Sequence, residues 1–413
     1  MKKILLFVLF LSLACLAAQA EVNVKDFGAK GDGATDDTAA FRQAVEEAEA
    51  RHETVRVPYG EYLLSGGVKL TTVTLAGNPD AAWPADAAAL PTIKPTSLKE
   101  SAFTIDKGAA VTGVCIKYDQ DFNKPVKYPV AIDILGTGCW IRNVKIAGAF
   151  DGIRALGEDK PGNPGRLNVE NVFMVNVVGT GVYLNGMRDV GLLENVEVWS
   201  PNVNMNRDKP VGFHIKGNDG LKLSNCFAFA ENIGFFFEHY DRPGFQKGAM
   251  WGTMTDCMAD FCGEGIVVSG FDSGREKDQE KDYHCTLTVN GGTYWTHGNT
   301  VRIEKCCNCF VMSGCDLRAN GGSTLVVRGG KNVSVSGCRM EKGMKEHVWP
   351  AVVLEGGDNV MVKDNIIAGT HDGIIINKGW KKLMVTGNII NAGLKAIKDS
   401  TPVSKNKLIR DNL

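Results

Sequence analysis

The chain has 413 residues, with 46 Lys and Arg against 47 Asp and Glu, a formal net charge of −1. That balance, with no basic stripe interleaved with aromatics, argues against a nucleic-acid partner. Forty-eight glycines against 14 prolines point to many tight turns between short strands, and the length suggests two or three ordinary domains unless the chain is a repeat array.

At the front, Lys2 and Lys3 precede an apolar run over residues 4–17, and Ala18-Gln19-Ala20 has the small-x-small form of a signal-peptidase site. The run is too short to span a bilayer comfortably. The expectation is a signal peptide over 1–20, cleavage after Ala20, and a secreted or periplasmic domain over 21–413. Cys15, in Leu13-Ala14-Cys15, offers an outer-surface lipoprotein as the alternative, although Ser12 stands where a lipidation box has a large aliphatic residue. No other segment is long and apolar enough to cross a membrane. Without the leader, 44 basic side chains face 47 acidic ones and eleven cysteines remain, an odd number.

Residues 24–48 read VKDFGAKGDGATDDTAAFRQAVEEA. Phe41, Ala44, Val45 and Ala48 recur at i, i+3, i+4 and i+7, so a short amphipathic helix is predicted, with Thr35 or Asp37 as its cap. A phosphate loop needs a lysine followed by serine or threonine at the helix start, which is absent. Calcium is possible, but the D-x-D-x-D spacing is missing, so no cofactor or metal site is expected. The stretch reads as an N-terminal cap and first coil over 21–75.

From about residue 110 one phrase recurs: an alternating apolar strand, a polar or glycine pair, then a small or buried residue. It ends at Val144, Val172, Val196, Cys226, Cys257, Gly292, Cys315, Cys338, Asn365 and Asn388. A second phrase, glycine followed by alternating inward residues, falls between: DGIRA at 151–155, TGVYL at 180–184, VGFHI at 211–215, IGFFF at 233–237 and EGIVV at 264–268. Each period holds two or more period-2 strands with no useful helix. One unit cannot bury its apolar face alone, so stacked coils must share a core. The prediction is an all-β, single-stranded right-handed parallel β-helix of roughly a dozen coils, with an N-terminal capping helix. Cys226, Cys257, Cys315 and Cys338 share one repeat position and are expected to stack inside. Asn365 and Asn388 suggest an asparagine ladder, and Cys306-Cys307-x-Cys309 reads as structural rather than metal-binding.

Asp26-Phe27-Gly28-Ala29, Gly31-Asp32-Gly33, Asp36-Asp37-Thr38 and Val57-Pro58-x-Gly60-x-Tyr62 together resemble the start of pectate-lyase-superfamily proteins, polygalacturonase- and rhamnogalacturonase-like right-handed β-helices. The resemblance covers about forty residues, and the downstream repeat agrees with it. It implies a carbohydrate-active protein with a polysaccharide or oligosaccharide partner. Polygalacturonate-cleaving members carry paired aspartates, then Gly-His-Gly, then Arg-Ile-Lys on successive coils. The similar phrases here have Glu264 in place of the histidine and Glu304 in place of the lysine, and Asn232-Ile233-Gly234 lacks the aspartates. That set is not intact.

Strand alternation exposes Tyr183, His214, Lys216, Glu238, Arg302 and Glu304. Glu238 and Glu304 stand two coils apart, so their backbones are on the order of 10 Å apart, within side-chain reach of the roughly 6.5–9.5 Å of an inverting glycosidase pair. Glu238, Glu264 and Glu304 are therefore the candidate catalytic carboxylates. His214, Lys216, Arg302, Tyr183, Tyr240, Trp251 and Trp295 are the candidate substrate-binding residues, with Trp199 and Phe245 as further stacking aromatics. Three readings follow: glycoside hydrolysis of an acidic, pectin-type polysaccharide; lysis or epimerisation of a uronate with His214 or Lys216 as base; and a non-catalytic glycan-binding or cell-surface β-helix. Outward ion pairs on a solvated sheet account for the same charged residues without chemistry.

Overall fold

The structure, a computed structural model, describes residues 21–413 apart from 82, 85–86, 158–163, 202–209, 239–249, 270–284, 305–306, 343–347 and 378. The predicted leader with Cys15, the aromatics Tyr240 and Phe245, and Cys306 lie outside the described residues.

Each turn of the chain contributes three short strands, and each strand pairs in parallel with its counterparts one turn before and after. Repeated about twelve times, this builds the predicted right-handed β-helix. One sheet, face I, runs from strand Val68–Thr71 through Thr180–Asn185, Val211–Lys216, Ile233–Glu238 and Glu264–Ser269 to Ile397–Asp399. Faces II and III share a second sheet, folded lengthwise at a corner; Leu221–Ser224 and Met250–Thr255 lie on face II, and Phe227–Phe229, Met258–Cys262 and Thr293–Thr296 on face III.

That corner explains the polar residue in the repeated phrase. Gly113, Asn143, Asn171, Asn195, Asn225, Asp256, Gly291, Gly314, Gly337, Asp364, Gly387 and Asp411 all have φ between 50 and 68°. Only glycine, asparagine and aspartate visit this left-handed region readily, so the alternation of strands is punctuated by the residues able to turn it. The corner asparagines also hydrogen-bond along the outside, Asn171 to Asn143 at 3.2 Å, Asn195 to Asn171 at 2.7 Å and Asn225 to Asn195 at 3.2 Å.

Just inside the corner, one column passes from Val144, Val172 and Val196 to Cys226, Cys257, Cys315 and Cys338, all buried. Nine cysteines, among them the four of this column, are free thiols. The column ends in the expected ladder: the Asn365 amide donates to Asn388 at 3.0 Å, and Asn388 donates to Asn412 at 2.9 Å. Buried amides persist here because each finds a partner one turn away. Under face I, Phe213 and Phe235 stack at 4.8 Å with a 9° interplanar angle and are fully buried.

The N-terminal helix, α1 (Thr38–Arg51), buries Phe41, Ala44, Val45 and Ala48 against the first turn, as its spacing requires. Its cap differs from expectation. Asp37 occupies the N-cap position without a side-chain cap bond; its carboxylate accepts Lys30 N at 2.6 Å and Gly31 N at 3.1 Å. Asp36 caps instead, accepting from Thr38 N at 3.1 Å and from Ser65 Oγ at 2.5 Å. Thr35 is a donor to Asp32. The reason is closure: the aspartates tie the glycine loop to itself and to the next coil, and the helix start follows. Hydrogen bonds from Thr35 and Ala34 lower the Asp32 carboxyl to about 2, and those from Ser65 and Thr38 hold Asp36 lower still.

Candidate functional site

Face I positions its side chains by alternation. Phe213, Ile215, Phe235 and Phe237 point into the core and are fully buried. The intervening residues form two outward columns. Tyr183, His214 and Phe236 are paired in register, as are Asn185, Lys216 and Glu238. Adjacent coils place such residues about 4.8 Å apart, close enough for direct contact.

The His214 ring lies between Tyr183, with centroids 4.9 Å apart, and Phe236, 4.7 Å away and nearly parallel at 19°. Its Nε2 is 2.9 Å from Glu238 Oε2, and Lys216 Nζ is 3.4 Å from the same oxygen. Asn185 Nδ2 donates to the Tyr183 hydroxyl at 3.0 Å. Although Glu238 sits at an outward position, its side chain is only 11 % exposed, covered by its two basic partners. Burial pushes its carboxyl up, but the His214 hydrogen bond and the Lys216 charge outweigh this and hold it below the ordinary range. Glu238 is therefore an anion that orients the imidazole, and it does not suit the role of a proton-donating acid.

Glu264 and Glu304 belong to a different group. Arg302 forks onto Glu264, Nε to Oε1 at 2.8 Å and Nη2 to Oε2 at 2.7 Å, while its Nη1 donates to Glu304 at 2.9 Å. Arg328 bridges Glu304 at 3.3 Å and Glu355 at 3.1 Å. Asn299 adds a donor to Glu264 at 3.3 Å. The hydrogen bonds that Arg302 donates to Glu264 raise the Arg302 pKa further above its usual value. The carboxylates expected to act with Glu238 are thus engaged by arginines.

Of the predicted site residues, the structure brings together Tyr183, His214, Lys216 and Glu238, and separately Arg302, Glu264 and Glu304. Trp251, in strand Met250–Thr255, and Trp295, in strand Thr293–Thr296, belong to the other sheet and leave the face I site. Each coil turns between face I and the second sheet, so strands close in sequence face different directions. Tyr240 lies outside the described residues. Phe236 and Asn185 were missed as site members; the coil-to-coil register that aligns them with His214 and Lys216 was the available signal. Among the described residues no group of three or more His, Cys, Asp or Glu is placed to hold a metal ion.

An oriented imidazole beside a phenol and an ammonium is equipped to move protons. With Glu238 accepting the Nε2 proton, Nδ1 is left as the ring's acceptor. With Asn185 donating to the Tyr183 oxygen, the phenol keeps its own proton to give.

Two family models match: "Rhamnogalacturonase A/epimerase, pectate lyase-like" over residues 21–124, and "Right handed beta helix region" over 245–412. Alginate lyase 7 of Azotobacter vinelandii is 60% identical over 48 residues, 11% of this chain and 6% of that protein, so the match spans a small part of either. The A-module of the Azotobacter vinelandii mannuronan C-5 epimerase AlgE6 superposes with a TM-score of 0.59 at 19% identity, covering 95% of this chain and 98% of that one. The Dettilon tailspike protein superposes with a TM-score of 0.60 at 13% identity, over 94% of this chain and 70% of that one. Likeness at such identities speaks to the fold. With the repeat and the coil architecture in agreement, the chain is a right-handed parallel β-helix protein whose N-terminal region matches the pectate-lyase-like family model.

Proposed function

We propose that the protein acts on an acidic, uronate-containing polysaccharide by removing the proton α to a carboxyl group, as a lyase or an epimerase. The observation that carries this reading is the His214–Glu238 hydrogen bond of 2.9 Å, flanked by Lys216 and Tyr183. Nδ1 of His214 takes the proton, and the C–H electron pair passes into the enolate of the substrate carboxyl. Lys216 supplies positive charge near that enolate. In elimination the pair then expels the glycosidic oxygen, which takes the Tyr183 proton; in epimerisation the carbon takes a proton on its other face. General acid–base assistance of this kind contributes roughly 10²–10⁴-fold.

Three further features support it. Hydrolysis with two carboxylates needs a protonated acid, whereas Glu238 is held anionic and Glu264 and Glu304 are paired to arginines. The outward column continues from Tyr183 through Arg154, Asp133 and Thr104 to Lys69, where a cleft of about 550 Å³ lined by Lys69, Lys99, Glu100 and the Arg154–Asp133 pair gives a polar chain a path. The sequence relative and the epimerase module are named for alginate and mannuronan.

Incubating the protein with alginate, polygalacturonate and rhamnogalacturonan tests the reading, with ultraviolet absorbance for unsaturated ends and reducing-end assays in parallel. An absorbing product, or inversion at C5 without chain cleavage, is expected. Reducing ends without absorbance would restore hydrolysis, and binding without any product would favour a non-catalytic β-helix.

A further inference from the structure

Face III carries a feature that the face I chemistry does not use. Ring centroids follow one another along the helix axis: Phe173 to Trp199 at 5.9 Å, Trp199 to Phe229 at 5.9 Å, Phe229 to Phe261 at 6.0 Å, and Phe261 to His297 at 4.5 Å. Trp199 is 39% exposed, Phe261 46% and Trp295 41%. Trp199, Phe229, Asp260 and Trp295 are Cα partners on four successive coils, so the strip is about 14 Å long at the coil spacing.

Phe261 shows that the exposure is built rather than incidental. Its φ is +59°, a region where a bulky side chain is a genuine outlier. It is also the extra residue of a β-bulge: Asp260 pairs with Trp295 and Cys262 with Thr296, leaving Phe261 between them. Bulges re-aim side chains and cluster near functional surfaces; the same positive φ recurs at Ala230 one coil earlier, so the turn is held by the coil and Phe261 is the bulky residue placed on it. Here the two together turn a phenyl ring outward onto Phe229 and His297.

The charges select the occupant. In strand Met258–Cys262, strand Thr293–Thr296 and the paired segments 197–199 and 227–229 there is no Lys or Arg, and the acids are Glu197 and Asp260; cations stand only at the two ends, Lys145 over Phe173 and Arg318, paired to Asp316, beside Trp295. Burial raises the Glu197 carboxyl. A polyanion is disfavoured on such a surface, while rings repeating with the coil match the repeating apolar faces of a linear sugar chain, with Asp260 available to accept from hydroxyls.

We infer that the aromatic strip on face III, centred on Trp199, Phe229, Phe261 and Trp295, binds a neutral linear polysaccharide at a site separate from the uronate-directed cluster on face I. The two sites lie on different sheets, so a single chain could be anchored to one polymer while acting on another.

Native gel electrophoresis of the full chain through soluble neutral polysaccharides (hydroxyethylcellulose, xyloglucan, laminarin), with polygalacturonate alongside, tests this directly. Retardation by at least one neutral polymer is expected. Phe261→Gly should weaken it at least tenfold without lowering the melting temperature, because glycine accepts the positive φ. Trp295→Ala should weaken it similarly, and Trp251→Ala, on face II, should leave it unchanged. The inference is overturned by unaltered mobility in every neutral polymer, or by Phe261→Gly binding as tightly as the parent. Ring-dependent self-association in sedimentation without any retardation would overturn it equally. None of these readouts requires turnover at face I, so this proposal and the proposed function can fail separately.

Discussion

Two charged regions share face I, and they teach different things. Around coils 183–238, one glutamate serves a histidine and a lysine beneath a phenol. Around coils 264–355, three glutamates are taken up by two arginines. Both regions come from the same alternation of a period-2 strand, and by residue type both look like acid–base sites. They differ in donor geometry. The planar guanidinium forks onto a carboxylate and locks it, whereas one imidazole nitrogen bonded to a carboxylate leaves the other nitrogen free to act. On the proposed reading the first region moves a proton, whereas the arginine pairs of the second tie adjacent coils together.

Substitutions can break that contrast. The largest effect is expected from His214→Ala, which should lower turnover of the responsive polyuronate by roughly 10²–10⁴-fold, measured per folded molecule because the ring also packs between Tyr183 and Phe236 and partners Glu238. Next, Phe235→Ala should cost about 3–5 kcal/mol by emptying a fully buried stack; denaturant unfolding measures it, and a cost below 1 kcal/mol would mean that the interior stack does not support the outward columns. Arg302→Ala should destabilise by about 1–3 kcal/mol and leave turnover per folded molecule within severalfold of the parent. Loss of turnover on the His214 scale would instead put Arg302 in the chemistry.

The smallest effect concerns pH. Glu231 is 1% exposed at the turn into strand Ile233–Glu238, and burial pushes its carboxyl up to about 8, against an ordinary value of 4.5. Its neutral form stabilises the fold fully below about 4.5, and that contribution is lost as the pH rises through about 8. Melting temperatures from pH 4 to 9 should therefore fall less steeply in Glu231→Gln than in the parent. Parallel curves would show that the residue does not titrate in this way.

How far the sequence alone could be read follows the same division. The β-helix was legible because its strands and corners are local: alternation marks the strand, and Asn143, Asn225 or Gly337 marks the left-handed bend. His214, Lys216 and Glu238 were legible by parity within single strands. Trp251 and Trp295 could not be separated from the His214 group in the sequence, because an aromatic's position along the chain says nothing about how many turns separate it from face I. The capture of Glu264 by Arg302 spans 38 residues and depends on side-chain reach across a coil, which strand spacing does not specify. Asp37 failed as the expected cap for a similar reason, since its acceptors were claimed by Lys30 and Gly31 in the preceding loop.

The central claim is that the His214–Glu238 pair abstracts a proton from a uronate. The most direct test runs the reaction in deuterated water and follows, by nuclear magnetic resonance, deuterium entering C5 (epimerisation) or the appearance of a 4,5-unsaturated end (elimination), for the parent and for Glu238→Gln on the same polyuronate. One of the two signals from the parent, reduced at least tenfold in Glu238→Gln, is the predicted result. Cleavage by the parent with no deuterium at C5 and no unsaturated end would contradict it.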